Sequence, residues 1–344
     1  MKRIFNFIKK IFRALQWKKK YEHFYNVRKN IYLIGSEDFG NVGDHQIALS
    51  ELKFLKQIFP QNTIIELPAS IYFLCHNKIK EMIKKDDLIF LTGGGNFGNE
   101  YKYAQEIRRD IVGKFRDNYI LIFPVTIFYT NDDDGEKEKA IDKKLFNRNN
   151  LLILSRDRYS FELSENMFPK AMHKLMPDIV FTEKRELSKN KEGYLFCFRD
   201  DLESNLKPEE RKYIERYAER QEKKVEWLDT QFKKNISISK RETCLDYIMK
   251  KFSDSELVIT DRLHGVIFSV INNTPCIALR NYNYKIDGVA EWLSEEKNFL
   301  LIDSVVDLDD AVKKVTDKKN SKYQLEKYRE KFEGVKRLIQ YGYE

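Results

Sequence analysis

The alternation of two kinds of segment from residue 31 onward most constrains the fold of this chain. Short runs rich in β-branched and aromatic residues are separated by longer stretches with the apolar periodicity of amphipathic helices. The runs lie at 31–34, 63–67, 87–91, 119–123, 151–154, 194–198, 225–228, 257–260, 276–279 and 299–302. Strands that alternate with helices in this way predict an α/β fold with parallel sheets and crossover helices.

A charged stretch divides this alternating region in two. Residues 182–192, TEKRELSKNKE, lack the apolar pattern of the segments on either side, and 344 residues are enough for two domains. We therefore expect an N-terminal α/β domain at 31–185 and a C-terminal α/β domain at 186–322. A polar helix with regularly spaced apolar residues should follow at 323–344.

Residues 1–30 precede the α/β pattern and predict a basic amphipathic helix. Residues 1–20 carry eight Lys and Arg and no acid, whereas the whole chain has a net charge of only +8. On a helix, six apolar residues share one side and four basic residues the other: Ile4, Phe5, Ile8, Ile11, Phe12 and Leu15 against Lys2, Lys9, Arg13 and Lys20. This pattern is typical of a helix in an anionic membrane interface, with Trp17 as a further lipid contact. The alternative is a helix docked on the protein's own body.

Composition and spacing exclude several classes of protein. Four widely spaced cysteines without a CxxC pair predict a reduced, cytosolic protein without structural zinc. No apolar run approaches the ~20 residues that cross a bilayer, and the N-terminus does not resemble a signal peptide. Charges outside residues 1–20 are balanced and no nucleic-acid motif occurs, so no nucleic-acid partner is expected.

Two glycine-rich segments follow predicted strands of the first domain. SEDFGNVGD at 36–44 follows the first strand, and TGGGNFGN at 92–99 follows the third. Glycines let the backbone turn tightly and approach a ligand at the carboxyl edge of the sheet, where open α/β sheets bind ligands. The spacing fits neither the dinucleotide fingerprint nor a Walker loop. Both segments are predicted as loops that face one crevice, with a tight turn as the alternative for the first.

The polar side chains of these two loops suit a hydroxyl-rich ligand such as a sugar. Asn41 and Asp44 lie in the first loop, and Asn96 and Asn99 lie in the second. His45, beside Asp44, is a secondary candidate.

Two basic motifs also follow strands, and both suit an anion. SRDRYS at 155–160 contains Arg156 and Arg158, for which surface ion pairing is the alternative. TDRLHG at 260–265 places Arg262 and His264 at the start of an apolar helix. Free N–H groups and the helix dipole favour an anion there, and a histidine can exchange protons near neutral pH. A histidine that only caps the helix or packs in the core is the alternative.

Taken together, these motifs resemble those of the polysaccharide pyruvyltransferase family. The matching stretches run in family order: GNVGD (40–44), TGGGNFGN (92–99), RDRYS (156–160), PD (177–178), FRD (198–200), TDRLHG (260–265) and YK (284–285). The resemblance implies a fold similar to GT-B glycosyltransferases, with two Rossmann-like domains facing a central cleft. The N-terminal domain would bind the acceptor and the C-terminal domain the donor.

The resemblance also implies a reaction. Phosphoenolpyruvate would supply pyruvate to two hydroxyls of one sugar, forming a cyclic ketal and releasing phosphate, with no metal or other cofactor. The sugar would belong to a bacterial surface polysaccharide or its lipid-linked precursor. Since such precursors are commonly assembled on a lipid carrier at the cytoplasmic face, the N-terminal helix would place the enzyme peripherally on the inner face of the plasma membrane.

Roles for single residues follow from the same resemblance. His264 would be the general acid that protonates the methylene carbon of the donor, and Asp44 would position or deprotonate an acceptor hydroxyl. The remaining residues would bind the two substrates: Arg156, favoured over Arg158, with Arg262, Leu263 and Lys285 the donor, and Asn41, Gly94, Gly95 and Asn96 the acceptor.

Two other functions stay open at this point. A nucleotide-sugar glycosyltransferase of similar fold would bind a diphosphate with Arg262 and Lys285, and nucleotides would then raise its melting temperature. A noncatalytic membrane-bound scaffold for polysaccharide assembly would tolerate replacement of His264 by Ala.

Overall fold

The computed structural model describes residues 2–26, 29–185, 188–200, 206–280, 284–316 and 322–341. Residues 186 and 187 of the predicted domain boundary and 342–344 of the predicted terminal helix lie outside the described residues. The chain forms two compact units. The first comprises Met1–Phe39, Ile47–Ile179 and Gln340–Glu344, and the second comprises Gly40–Gln46 and Val180–Ile339. Residues 40–46 and 180–185 of the predicted N-terminal domain thus belong to the second unit.

The first unit contains one parallel sheet with helices between its strands. Its elements are α1 (Lys2–Tyr21), β1 (Ile31–Ser36), α2 (Val42–Ile58, which begins in the second unit), β2 (Ile64–Pro68), α3 (Tyr72–Met82), β3 (Leu88–Leu91), β4 (Gly94–Gly98), α4 (Lys102–Lys114), β5 (Ile120–Phe128), α5 (Asp133–Phe146), β6 (Leu151–Ser155), α6 (Arg158–Met167) and β7 (Met172–Leu175). The strand order is β2-β1-β3-β5-β6-β7, and β4 also pairs with β5. The inner strands are almost wholly buried, as expected where helices cover both faces of a sheet.

The second unit repeats this architecture with five parallel strands. Its elements are β8 (Tyr194–Cys197), α7 (Pro208–Glu219), β9 (Val225–Leu228), α8 (Arg241–Asp254), β10 (Leu257–Thr260), α9 (Leu263–Ile271), β11 (Cys276–Leu279), α10 (Lys285–Trp292), β12 (Phe299–Ile302), α11 (Leu308–Thr316) and α12 (Leu325–Tyr341). The strand order is β12-β11-β10-β8-β9. The three inner strands are buried at every residue, whereas β9 and β12 at the edges are partly exposed. Both units are therefore α/β with parallel sheets, as the alternating sequence pattern predicts, and Rossmann-like, as the family resemblance implies.

The local structure differs from the sequence prediction at two strands. Residues 94–98 are not a loop but the strand β4, and Met172–Leu175 forms an edge strand that no β-rich run indicates. The acidic segment 131–135 begins helix α5, and Asp132 caps this helix by accepting a hydrogen bond from the Gly135 N–H at 2.7 Å. Asp133 and Asp134 occupy the first turn, where the helix dipole favours negative charge.

The predicted loop after β1 is also shorter than expected. Helix α2 begins at Val42, so Asp44 lies in its first turn. The Asn41 Oδ1 atom accepts a hydrogen bond from the Gly43 N–H at 3.0 Å, which satisfies one of the free donors at the start of the helix.

Helix α1 packs on the first unit along its C-terminal half. Trp17 is buried, and its Nε1–H donates to the Glu66 carbonyl at 2.7 Å. The expectation that Trp17 enters lipid is therefore wrong. Among the described residues, no helix is long and apolar enough to cross a membrane.

Candidate active site

The sheet of the second unit reverses the direction of its strand order between β8 and β10. From β8 the chain places β9 on one side and then β10, β11 and β12 on the other. Open α/β sheets bind ligands outside the carboxyl ends of their strands at such a point. Arg199 follows β8, and Asp261 and Arg262 follow β10, so one ionised cluster lies where a ligand is expected.

The turn from β10 into α9 is held by two small residues. The Thr260 hydroxyl donates to the Cys197 carbonyl at 2.6 Å and accepts from the Arg262 N–H at 3.0 Å. A Cβ atom on Gly265 would lie 2.3 Å from the Thr260 Oγ1 atom, so only glycine fits. Leu263 is the first residue of α9, which places its backbone N–H at the helix N-terminus, where an anion is favoured.

Arg262 is 6% exposed and forms an ion pair. Its Nη2 atom lies 2.7 and 2.8 Å from the two carboxylate oxygens of Asp229, the residue that follows β9. The Asp229 side chain is 27% exposed, so this ion pair borders solvent on the carboxylate side.

His264 packs against the glycine-rich loop that begins the second unit. A Cβ atom on Gly43 would lie 2.0 Å from the His264 Nδ1 atom and 2.3 Å from its Cγ atom. The imidazole therefore touches the backbone at Gly43, and the motifs GNVGD and TDRLHG meet in space. His264 is 8% exposed, and its ring centroid lies 5.7 Å from that of Phe268.

Backbone hydrogen bonds fix the Gly40–Val42 segment against the chain after β9. The Val42 N–H donates to the Thr230 carbonyl at 2.9 Å, and the Phe232 N–H donates to the Gly40 carbonyl at 2.8 Å. A Cβ atom on Gly40 would lie 2.0 Å from the Phe232 carbonyl oxygen. The loop is thus part of the second unit although it follows a strand of the first.

The polar residues of this loop differ in burial. Asn41 is half-buried and caps α2, and Asp44 is half-buried in the first helical turn. His45 is fully buried, and its Nδ1 atom accepts a hydrogen bond from the Arg241 Nε–H at 3.2 Å. His45 therefore has a packing role, and Asp44 is the more accessible of the two neighbours.

Asp261 is a buried carboxylate in the same cluster. One oxygen accepts a hydrogen bond from the Arg199 N–H at 2.9 Å, while the other accepts none from the part of the chain that the structure describes. Burial raises the pKa of Asp261 to about 6, and the nearby Arg199 and Arg262 charges oppose this rise. Lys285, the first residue of α10, is also buried, at 7% exposure.

The other glycine-rich segment lies in the first unit and packs against its own sheet. Cβ atoms on Gly93 and Gly98 would lie 2.5 Å from the Pro124 carbonyl oxygen and 1.8 Å from the Phe128 carbonyl oxygen. Pairing of β4 with β5 is therefore a structural reason for these glycines. Gly94 is buried and has φ +106°, and Gly95 is half-buried.

A buried polar network surrounds this segment. The Glu51 carboxylate accepts hydrogen bonds from the Thr92 hydroxyl at 2.8 Å and the Gly93 N–H at 2.7 Å. Arg108 donates to the Asn96 carbonyl at 2.9 Å and also contacts the Asn96 side-chain oxygen. Asn96, the predicted acceptor ligand, is thus held by a buried arginine.

Arg156 also lies in the first unit, at 3% exposure. Its Nη1 atom lies 2.8 Å from the Asp178 carboxylate, and its Nε–H donates to the Thr126 hydroxyl at 2.8 Å. Arg158, the alternative anion ligand, is exposed at the first position of α6.

Sequence reasoning gave no role to several charged residues of these networks. Three of them lie within matched motifs: Asp178, Arg199 and Asp261. Asp229 directly follows a predicted strand, and this position could have identified it as a site candidate. Glu51 and Arg108 lie inside helices, and nothing in their sequence context marks them.

Comparison with known proteins agrees with the motifs. Residues 41–283 match the family described as polysaccharide pyruvyl transferase. General stress protein 30 of Bacillus subtilis (strain 168) is 31% identical over 303 residues, covering 85% of this chain and 86% of that protein. Pyruvyl transferase 1 of Schizosaccharomyces pombe is 27% identical over 278 residues, covering 76% of this chain and 68% of that protein.

A solved structure supports the fold. The UDP-GlcNAc 2-epimerase of Methanocaldococcus jannaschii, solved with UDP-GlcNAc and UDP, gives a TM-score of 0.54 at 12% identity and covers 91% of this chain and 99% of that one. At this identity the likeness concerns the architecture alone. With the family match spanning most of the chain, the chain belongs to the polysaccharide pyruvyl transferase family.

Proposed function

We propose that this protein transfers pyruvate from phosphoenolpyruvate to two hydroxyls of one sugar, forming a cyclic ketal and releasing phosphate. The observation that carries the proposal is the meeting of His264, at the N-terminus of α9, with the Gly43 backbone beside the ionised cluster of Arg262. Phosphoenolpyruvate carries a phosphate and a carboxylate, which suit a guanidinium and free helix N–H groups. Arg262, the Leu263 N–H and Lys285 are the donor ligands in this proposal.

The first step is proton transfer to carbon. The His264 imidazolium protonates the methylene carbon of phosphoenolpyruvate, which becomes a methyl group, and the adjacent carbon becomes electrophilic. The oxygen of the first sugar hydroxyl then bonds to that carbon. The hydroxyl proton passes to the Asp44 carboxylate, which either keeps it or transfers it to the imidazole. Arg262 and the helix N-terminus stabilise the phosphate and carboxylate charges throughout.

The second step replaces the phosphate. The bond between the former vinyl carbon and the phosphate oxygen breaks, and phosphate leaves with the bonding electron pair. The second sugar hydroxyl bonds to the same carbon and closes the ketal ring, while its proton leaves with the phosphate. One hydroxyl proton thus balances the hydrogen gained by the methyl group, and no oxidant, reductant or metal is required.

The acceptor is proposed to be a sugar of a bacterial surface polysaccharide or of its lipid-linked precursor. Amide side chains and backbone groups of Asn41, Gly94, Gly95 and Asn96 suit sugar hydroxyls. In the first unit, the Arg156 guanidinium binds Asp178, whereas Arg158 is exposed.

The site of action is proposed to be the cytoplasmic face of the plasma membrane. Eight basic residues and no acid within residues 1–20 support binding to anionic headgroups.

Ligand-dependent melting tests the donor assignment. We expect phosphoenolpyruvate to raise the melting temperature of the protein, because a ligand that binds only the folded state stabilises it. Arg262→Ala should remove this shift, and Lys234→Ala, after the loop that contacts Gly40, serves as a charge-matched control. If a nucleotide sugar raises the melting temperature and phosphoenolpyruvate does not, the proposal is wrong and the protein is a glycosyltransferase.

A further inference from the structure

Helix α1 carries an unusual concentration of exposed apolar side chains. Seven of them are between 38% and 67% exposed: Ile4, Phe5, Phe7, Ile8, Ile11, Phe12 and Leu15. Large contiguous apolar surfaces of this kind mark binding sites on folded proteins.

The helix is nevertheless docked on the first unit, through other residues. Ala14, Trp17 and Tyr21 are buried at 4–6% exposure, and the Cys75 thiol donates to the Ala14 carbonyl at 3.9 Å. The packed residues belong to the C-terminal half of the helix, so they leave the preceding three turns uncovered.

A polar clamp adds to this docking. The Arg13 guanidinium forms an ion pair with Asp38 and donates to the Ser70 hydroxyl at 3.2 Å. Asp38 is fully buried, and it also accepts hydrogen bonds from the Ser70 hydroxyl at 2.6 Å and the Ser70 N–H at 3.2 Å. Because a buried carboxylate requires these partners, the clamp holds α1 at one rotation about its axis.

That rotation directs the apolar side chains away from the first unit. At 3.6 residues per turn, the seven apolar residues span an arc of roughly 160°, and Arg13, Ala14, Trp17 and Tyr21 span roughly 100°. The centres of the two arcs lie roughly 150° apart. Docking and the apolar stripe therefore use different faces of the helix.

The charges of the helix favour a lipid surface over a second copy of the chain. Residues 1–20 contain no acid, so pairing two such helices would bring like charges together. Lys9, Lys19 and Lys20 are exposed, and the Lys9 ammonium lies 4.4 Å from the centre of the Phe5 ring, at the border of the stripe. Ammonium groups beside exposed aromatic and aliphatic side chains match a bilayer surface with anionic headgroups.

We propose that α1 is a preformed membrane-insertion ridge, clamped to the first unit by Arg13, Asp38 and Ser70, which binds an anionic lipid surface with its axis in the interface plane. The proposal rests on the membrane location proposed above and adds the contact face and the rotation of the helix. The seven apolar side chains enter the acyl boundary while Trp17 stays against the protein. The helix needs no refolding or undocking to bind.

Sedimentation with vesicles tests the binding face. Wild-type protein should bind phosphatidylcholine vesicles that contain about 30% phosphatidylglycerol more tightly than vesicles of phosphatidylcholine alone. The double variant Phe5→Asp/Phe12→Asp should lower the partition coefficient at least about tenfold. Val306→Asp, which changes a side chain 64% exposed in the second unit, should leave it unchanged. A dimer that Phe12→Asp dissociates, without vesicle binding by the wild type, would overturn the proposal in favour of a second copy.

Quenching by brominated lipids tests the rotation. The chain has three tryptophans, so Trp227→Phe/Trp292→Phe leaves Trp17 as the only reporter. In this background, Trp17 fluorescence should stay unquenched by brominated lipids on vesicles. Adding Phe12→Trp and Trp17→Phe moves the only tryptophan to position 12, and its fluorescence should be strongly quenched. Strong quenching of Trp17 would show that α1 undocks and rolls into the lipid, which contradicts the clamp while leaving membrane binding intact. Absence of vesicle binding by the wild type would contradict the membrane location itself without touching pyruvyl transfer.

Discussion

Arg156 and Arg262 hold comparable places in the two units, but their ion pairs differ. Each arginine follows a buried parallel strand, is nearly fully buried, and forms an ion pair with an aspartate. The partner of Arg156, Asp178, is 1% exposed, whereas the partner of Arg262, Asp229, is 27% exposed. The exposure of the partner, and not that of the arginine, distinguishes the two sites.

This difference has an energetic consequence. An arginine whose carboxylate borders solvent can exchange it for a substrate anion, because the released carboxylate is rehydrated. An arginine whose carboxylate is sealed in the core cannot do so without leaving a buried charge uncompensated, which costs about 3–5 kcal/mol. Arg262 is therefore suited to bind a ligand, and Arg156 is suited to hold its domain together.

The largest expected effect is on turnover in the second unit. Arg262→Ala should lower the rate of acceptor-dependent phosphate release about a thousandfold, because it removes the charge that stabilises the developing anion. Arg262→Lys should recover part of the rate, and circular dichroism should show both variants folded. A rate within threefold of wild type would contradict a donor role for Arg262.

The matching substitution in the first unit should act on stability. Arg156→Ala should lower the free energy of unfolding by about 3 kcal/mol, measured by urea denaturation, because the buried Asp178 charge loses this ion pair. The double variant Arg156→Met/Asp178→Leu should regain most of this loss. If stability is kept while phosphoenolpyruvate binding disappears, Arg156 is a donor ligand and the comparison fails.

A glycine substitution tests the contact between the two motifs of the second unit. Gly43→Ala should displace the His264 ring, because the new Cβ would lie 2.0 Å from the Nδ1 atom. Misplacing a catalytic group by about 1 Å costs roughly a hundredfold in kcat. Gly334→Ala in α12 meets no atom within 4 Å and serves as the control. An unchanged kcat in Gly43→Ala would show that the contact between Gly43 and His264 does not affect the chemical step.

The smallest expected effect concerns the pH dependence of stability. The pKa of Asp261 is about 6 in the folded protein against an ordinary value of 3.8, so the folded state binds more protons between these values. Its contribution to stability is full below the ordinary pKa and is lost as pH rises through about 6. The stability advantage of Asp261→Asn over wild type should therefore be about 2 kcal/mol larger at about pH 7 than at about pH 4. Thermal melts at both pH values check the difference, and an equal offset at both would contradict it.

The sequence predicts strands better than it predicts the contacts of charged residues. All ten β-rich runs contain strands, because a buried parallel strand needs a continuous apolar run that is visible locally. The strand β4 is missed because its glycines are set by close approach to β5, which is distant in the chain. Motif positions mark both Arg156 and Arg262 as anion ligands, whereas the burial of Asp178 and the partial exposure of Asp229, which separate the two sites, are tertiary properties.

The N-terminal helix shows the same limit. Its amphipathic pattern predicts an apolar stripe, and the exposed side chains from Ile4 to Leu15 confirm that the stripe faces away from the protein. Membrane binding and docking were alternatives on sequence grounds. The structure shows docking through Arg13, Ala14, Trp17 and Tyr21, and leaves the stripe available to another surface. Periodicity identifies faces of a helix, but only the tertiary contacts assign them.

The most direct test of pyruvyl transfer is the release of phosphate from phosphoenolpyruvate by the purified protein, given a panel of lipid-linked and synthetic glycosides. The account predicts that phosphate release depends on one acceptor and is accompanied by a ketal-linked pyruvate on that sugar. It also predicts that His264→Ala abolishes this release without unfolding the protein. Release that continues unchanged in folded His264→Ala, or transfer of a sugar from a nucleotide in place of pyruvate, would contradict it.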